Sequence, residues 1–242
     1  MLTPTPQIQE SHQHFDFAVD PAGTDLTRRR VLTAAAAIAG TGLAGVITPA
    51  LGQQPLVRPT NGQILGPFYP VRHPTDDDAD LTIIAGRDTR AVGKIFYLSG
   101  RVTNVRGEPI IDAELDIWQA NAAGRYDHPA DPNPEPVDPN FQGFARIRTG
   151  PDGSYRIKTV KPGAYPATSD WIRPPHIHFD VKGRASRLVT QMYFEGEALN
   201  DKDKLLQDSS RKEGLIARYS APSGAQESGA LVAIWNIVLA AG

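Results

Sequence analysis

The chain has 242 residues, of which 40% are hydrophobic and 21% charged, with a formal net charge of −2. That is ordinary globular composition, and with no long Lys/Arg block it excludes a basic footprint for nucleic acid. Cysteine is absent, which removes disulfides, thiolate metal sites and cysteine nucleophiles together.

Residues 1–26 are polar and aperiodic and read as an unstructured leader. Thr27-Arg28-Arg29-Arg30-Val31-Leu32 follows, then an uncharged Ala/Gly-rich run from Thr33 to about Gly52. An arginine pair before a short, weakly apolar region is the pattern of a twin-arginine export signal. The competing reading is a membrane anchor, against which the Gly and Ala content speaks. Ala50-Leu51-Gly52 suits cleavage near Gln53. Residues 1–52 are therefore expected to be a leader with a signal peptide. The remainder would then be periplasmic or secreted, meeting a membrane only during export.

Residues 53–93 are irregular, with Pro55, Pro59, Pro67, Pro70 and Pro74 and an acidic knot at Asp76-Asp77-Asp78. Gly66-Pro67-Phe68-Tyr69-Pro70 is stiff and aromatic, and such a segment reads first as an arm laid over a core. From Lys94 the pattern turns to β. Ile95–Val105, Ala113–Ala120, Phe144–Thr149, Ser154–Val160, Ile177–Val181, Leu188–Phe194, Leu215–Tyr219 and Leu231–Leu239 are rich in β-branched or alternating residues. Gly150-Pro151-Asp152-Gly153 is a hairpin signal between the third and fourth of these. Only about Asp201 to Asp208 reads as helix. An all-β, antiparallel sandwich with long loops is expected over 94–242. The Pro-rich stretch between Tyr126 and Phe141 is one such loop, and long ordered loops on sandwiches tend to be functional.

Of six histidines, His12 and His14 lie in the leader, and His73 and His128 fall in polar loops and are expected to be solvated. His176 and His178 remain. One residue apart on a strand, they face the same way and can share a ligand. By itself such a pair is more often the mark of one core histidine and one surface pairing than of a metal site. Tyr126 and Tyr165 alone do not decide between these, since tyrosines are common in sandwich cores.

The ordered motif set does more. Gly66-Pro67-Phe68-Tyr69, Leu115-Asp116-Ile117-Trp118-Gln119-Ala120-Asn121 with Gly124-Arg125-Tyr126, Asp138-Pro139-Asn140-Phe141, Lys161-Pro162-Gly163-Ala164-Tyr165-Pro166, Arg173-Pro174-Pro175-His176-Ile177-His178-Phe179 and Thr190-Gln191-Met192-Tyr193-Phe194-Glu195-Gly196 together resemble the intradiol ring-cleavage dioxygenases. They are most like the iron-bearing subunits of protocatechuate 3,4-dioxygenases. The resemblance covers roughly residues 60–200.

It implies one non-haem Fe(III) held by Tyr126, Tyr165, His176 and His178, with phenolates suiting a hard trivalent cation. It implies a catecholic substrate that displaces Tyr165, and O2 cleavage between the two hydroxyl-bearing carbons to a cis,cis-muconate-type diacid. Arg173 matches the family arginine that stabilises negative charge on the ring, and Gln191 a glutamine near the O2-side pocket. Ala167 stands where close relatives carry an aromatic residue, so the pocket is expected to differ in shape. A homo-oligomer or a partner subunit is compatible with the resemblance. Two other readings compete: a non-catalytic exported binding module with a relict metal site, and a metal site of extradiol or hydrolytic type. Completeness of the five positions argues against the first, and two tyrosines with no matching carboxylate against the second.

Overall fold

The structure, a computed structural model, describes residues 55–241. The expected leader and signal segment, 1–52, lies outside the described residues. Among the described residues, one compact unit holds every strand. No helix among the described residues is long and apolar enough to cross a membrane.

Twelve strands form: β1 (Ile95–Asn104), β2 (Glu114–Trp118), β3 (Phe144–Arg148), β4 (Ser154–Val160), β5 (Tyr165–Thr168), β6 (Trp171–Arg173), β7 (His176–Lys182), β8 (Arg187–Phe194), β9 (Ile216–Ala217), β10 (Tyr219–Ser220), β11 (Leu231–Ile234) and β12 (Ile237–Leu239). The helical stretch divides into a 3-10 turn, Ala198–Lys202, and α1 (Lys204–Gln207), with a further 3-10 turn at Lys212–Leu215. One sheet runs β10-β11-β1-β12, with β4 on the other edge of β1; a second runs β3-β2-β7-β8-β9; β5 and β6 pair alone.

The all-β sandwich is as expected, but its sheets are mixed rather than purely antiparallel: β1 pairs in parallel with β11 and β12, and β8 with β9. The Gly150–Gly153 turn closes, Gly153 N donating to Gly150 O at 2.9 Å. It does not make a hairpin, because β3 pairs with β2 while β4 pairs with β1 over seven residues. The turn residues specify a reversal, and the longer pairing with β1 decides which sheet receives the strand. The expected strand Leu231–Leu239 is likewise two. Between the two, the Trp235 carbonyl lies against Gly100, where any side chain would overlap it, and Tyr155 donates its hydroxyl to that carbonyl at 2.6 Å.

The core sits between the two large sheets. Ile177, Phe179 and Val181 of β7, with Leu115 and Ile117 of β2, meet Phe96, Leu98 and Ile157 from the opposite sheet. Period two then sends His176, His178 and Asp180, with Asp116 and Trp118, to the outer face of the same sheet. That face is covered too: six of the seven β7 residues are buried.

Toward one end of this face the cover is ionic. Asp116 is fully buried and accepts from Arg146 at 2.6 Å, Lys182 at 2.9 Å and the Tyr69 hydroxyl at 2.8 Å. Burial by itself would raise its pKa, but those donors outweigh it and leave the carboxyl at about 2, from an ordinary 3.8. A folded-state pKa below the unfolded one means stability present above about pH 4 and lost as pH falls toward 2. Asp116→Asn should therefore lose about 2 kcal/mol of pH-dependent stability at pH 6, the gap to wild type closing below pH 4. Urea melts between pH 2 and 6 check this; a gap independent of pH would refute it.

Candidate metal centre

The other end of the outer face is aromatic. Trp118, Phe68, Tyr126, Phe144 and Tyr165 form a second buried cluster, and Trp118 stacks on His178 with ring centroids 4.8 Å apart. His176 and His178 present their Nε2 atoms to each other at 3.2 Å. His176 Nδ1 lies 2.7 Å from the Pro174 carbonyl, a contact that makes Nδ1 the protonated nitrogen and leaves the Nε2 lone pair facing the cluster. Burial, then the charge of Arg173, holds both imidazoles well below their ordinary pKa, so both are neutral.

Tyr126 comes from the Pro-rich loop, which is ordered by its own side chains. Asp131 accepts the Tyr126 amide at 2.7 Å, and Asn121 Oδ1 accepts the amides of Ala123 and Arg125 at 2.9 and 3.0 Å. Asn133 donates to the Gly124 carbonyl at 2.9 Å. These Asx contacts satisfy backbone groups of a loop whose prolines keep it out of helix and sheet ladders. Tyr165 opens β5, and the Tyr126 and Tyr165 rings lie 5.4 Å apart; Tyr165 is 5.5 Å from His176, and Tyr126 is 6.2 Å from His178. The Tyr126 hydroxyl is buried without a hydrogen-bond partner. Burial pushes both phenols up, Tyr126 well above its ordinary value with help from neighbouring Tyr165, while Arg173 pulls Tyr165 partly back.

Gly124 makes the approach of the two tyrosine segments possible. It has φ +82°, and a Cβ there would overlap the Ala164 carbonyl, next to Tyr165. Gly124→Ala should cost about 2 kcal/mol or more, combining left-handed strain with displacement of the Tyr165 strand. Thermal denaturation checks it, and an unchanged midpoint would show that the segments can part without cost.

Arg173, from β6, is buried beside the histidines. Its Nη1 is 3.1 Å from His176 Nε2, and its Nη2 donates to Gln191 Oε1 at 2.9 Å and to the Tyr193 hydroxyl at 2.7 Å. All six side chains predicted for the site, Tyr126, Tyr165, Arg173, His176, His178 and Gln191, thus meet in one place. Two expectations need correction. His128 is not solvated but buried, its ring 5.7 Å from Phe68, because the ordered loop folds it inward. The Gly66–Pro70 arm is a wall of the site as well as a cover: Phe68 packs 4.6 Å from Tyr126, and Gly66, with φ +79°, crosses so closely over His178 that a Cβ would stand 3.1 Å from Cε1.

Asp203 and Tyr193 were not singled out from sequence. Tyr193 could have been, since β8 register sets Gln191 opposite His178 and Tyr193 opposite His176. Asp203 lies beyond β8 at the N-cap of α1 and nothing local ties it to Arg173.

The donor set suits a hard cation. Among the described residues no group of three or more His, Cys, Asp or Glu side chains is placed to hold a metal ion. A metal bound here would draw on the phenols, and the buried, partnerless Tyr126 hydroxyl, its ring 6.2 Å from that of His178, is the observation in favour.

Comparison with known proteins gives the assembly its class. The family model described as Dioxygenase matches residues 64–241. The chain belongs to the intradiol aromatic ring-cleavage dioxygenases. It is 42% identical over 169 residues to the protocatechuate 3,4-dioxygenase beta chain of Burkholderia cepacia, covering 67% of this chain and 71% of that one. It is 29% identical over 185 residues to hydroxyquinol 1,2-dioxygenase of Nocardioides simplex, covering 70% of this chain but only 58% of that longer relative. Among solved structures, the dioxygenase domain of a carbohydrate-binding fusion protein from Streptomyces sp. SirexAA-E superposes with a TM-score of 0.58 at 25% identity, over 76% of this chain and 100% of that one. The 3-chlorocatechol 1,2-dioxygenase of Rhodococcus opacus 1CP, with a TM-score of 0.60 at 23% identity over 76% and 73% of the two chains, shares the fold.

Proposed function

We propose that this chain is an exported, non-haem Fe(III) intradiol dioxygenase that opens a catechol-type ring with O2 between its two hydroxyl-bearing carbons, giving a cis,cis-muconate-type diacid. The observation that carries the reading is the meeting of two imidazole Nε2 atoms 3.2 Å apart with two buried phenols, one of them without a partner. Tyr126, Tyr165, His176 and His178 would hold the ion. Bound ferric iron supplies the Lewis acidity that favours a doubly deprotonated catechol, and with two phenolates the centre carries a net +1 that suits such a dianion.

The chain's own groups do the rest. Tyr165 Oη, entering as phenolate, takes the proton of one substrate hydroxyl while the other proton passes to water; it stands at the base of the two-stranded β5–β6 hairpin, a lighter anchorage than the pinned loop of Tyr126. The Arg173 guanidinium places fixed positive charge where the ring becomes electron-rich, and such a preorganised group contributes about 3 kcal/mol. Trp118, Phe68 and Phe144 exclude water.

Ala167 is exposed beside Tyr165, which favours a pocket more open than one closed by an aromatic side chain, and leaves the preferred catechol to experiment. O2 uptake by the purified mature chain with catechol, protocatechuate, hydroxyquinol and a substituted catechol, with products identified by mass, tests the reaction. Uptake with intradiol diacid is expected, and uptake without ring opening would overturn it. A relict binding module would give neither uptake nor a coloured protein.

The proposed organisation is 1–52 leader, 53–93 arm and 94–242 catalytic sandwich. Export rests on Arg28-Arg29 ahead of the Ala/Gly run, and Arg28→Lys with Arg29→Lys should hold the precursor in the cytoplasm on fractionation. An oligomer or partner subunit fits the additional similarity to a protocatechuate 3,4-dioxygenase alpha chain of Burkholderia cepacia, 33% identical over 141 residues; native mass spectrometry decides.

A further inference from the structure

We propose that Asp203, together with the Tyr193 hydroxyl, is the positioning clamp that aims Arg173 at the ring-cleavage site. The inference rests on the proposed reaction for its kinetic consequence, and on geometry for the rest.

Arginine offers five N–H donors in one rigid plane, so fixing part of the plane aims the remainder. Here Nε donates to Asp203 Oδ2 at 3.0 Å, and Nη2 reaches the Tyr193 hydroxyl at 2.7 Å and Asp203 Oδ1 at 3.3 Å. Those contacts occupy the far edge of the guanidinium. The edge left over is Nη1, and it faces His176 Nε2 at 3.1 Å. The clamp is itself immobile. Asp203 has no solvent exposure and caps α1, accepting the Leu206 amide on Oδ1 at 2.9 Å. Tyr193 sits opposite His176 in the sheet and donates its own proton to Gln63 Oε1 at 2.8 Å, which turns a lone pair toward Arg173.

A buried ion pair of this kind adds little net stability over an apolar pair of the same volume. What it supplies is direction. A guanidinium on a long flexible stem has many rotamers, and charge displaced by about 1 Å from a developing anion loses much of its effect. Asp203 touches neither histidine nor tyrosine ligand candidates in the hydrogen-bond network, so it acts through Arg173 rather than on the substrate.

Two variants test this. Asp203→Asn keeps the Oδ1 acceptor for the helix cap and removes the charge; Tyr193→Phe keeps the ring and removes the acceptor for Nη2, and serves if the first variant fails to fold. Expected for Asp203→Asn is a fall in kcat of about 100-fold with KM within about threefold, and for Tyr193→Phe a fall of about tenfold. A merely structural role would lower the melting temperature without splitting kcat from KM in folded, metal-loaded protein. Crystal structures of the same variants supply a readout free of turnover: Nη1 should leave His176. A kcat within about twofold of wild type, or an unmoved guanidinium, overturns the clamp. A wild type inactive on every catechol would sink the proposed reaction instead, while the crystallographic position of Arg173 still decides the clamp.

Discussion

If the proposed ferric site is as described, Tyr126→Phe is expected to strip its metal while leaving the metal-free fold at least as stable as wild type. The two effects have one origin. The Tyr126 hydroxyl is fully enclosed with no hydrogen-bond partner, and an unmet buried polar group costs about 1–3 kcal/mol. Removing it should raise the metal-free unfolding free energy by about 1 kcal/mol, since the ring keeps its packing against Phe68 and Tyr165. The same change deletes one of the proposed anionic ligands. Groups that merely orient a ligand are worth about 10–100-fold in metal affinity, so a ligand itself should exceed about 100-fold. Chelator competition on loaded protein and melts on stripped protein measure the two halves. Undiminished iron content and visible colour in the variant would remove Tyr126 from the ligand set.

Arg173→Gln should be costly in both stability and rate. It strands Asp203, a carboxylate with no exposure whose cation is Arg173, and breaking a buried pair from one side typically costs about 3–5 kcal/mol. Adding Asp203→Asn removes the stranded charge, so the double variant should regain most of that stability in urea melts. Activity should not return with it: kcat is expected to stay down by about 10²–10³, the usual loss when one preorganised charge-stabilising group is removed. Recovery of kcat along with stability would show that Arg173 serves the fold and not the reaction.

Both expectations concern residues whose importance was readable before their surroundings were. The His-x-His spacing, the two tyrosine motifs and Arg173-Pro174-Pro175 mark the residues of one centre because their order along the chain resembles a family. Period two then places His176 and His178 on one side of a strand. The longer strands were legible for the same reason, since β-branched alternation is a local property, whereas the short β5 and β6, which carry little of it, were not. Partner choice was not. The Gly150–Gly153 reversal is written in its residues, yet it turns a corner between sheets because pairing with β1 is a contact across the chain.

Sequence by itself thus determined the all-β class and the alternation that sends core side chains to one face and His176 and His178 to the other, and its resemblance to a family named six residues that the fold brings together. Tertiary structure alone decided that the Gly66–Pro70 arm closes over His178, that His128 turns inward, and that a carboxylate 30 residues from Arg173 fixes its guanidinium. The physical reason is range. Alternation and turn chemistry act over a few residues, whereas a buried charge finds its partner only after the sheets have stacked and excluded water between them.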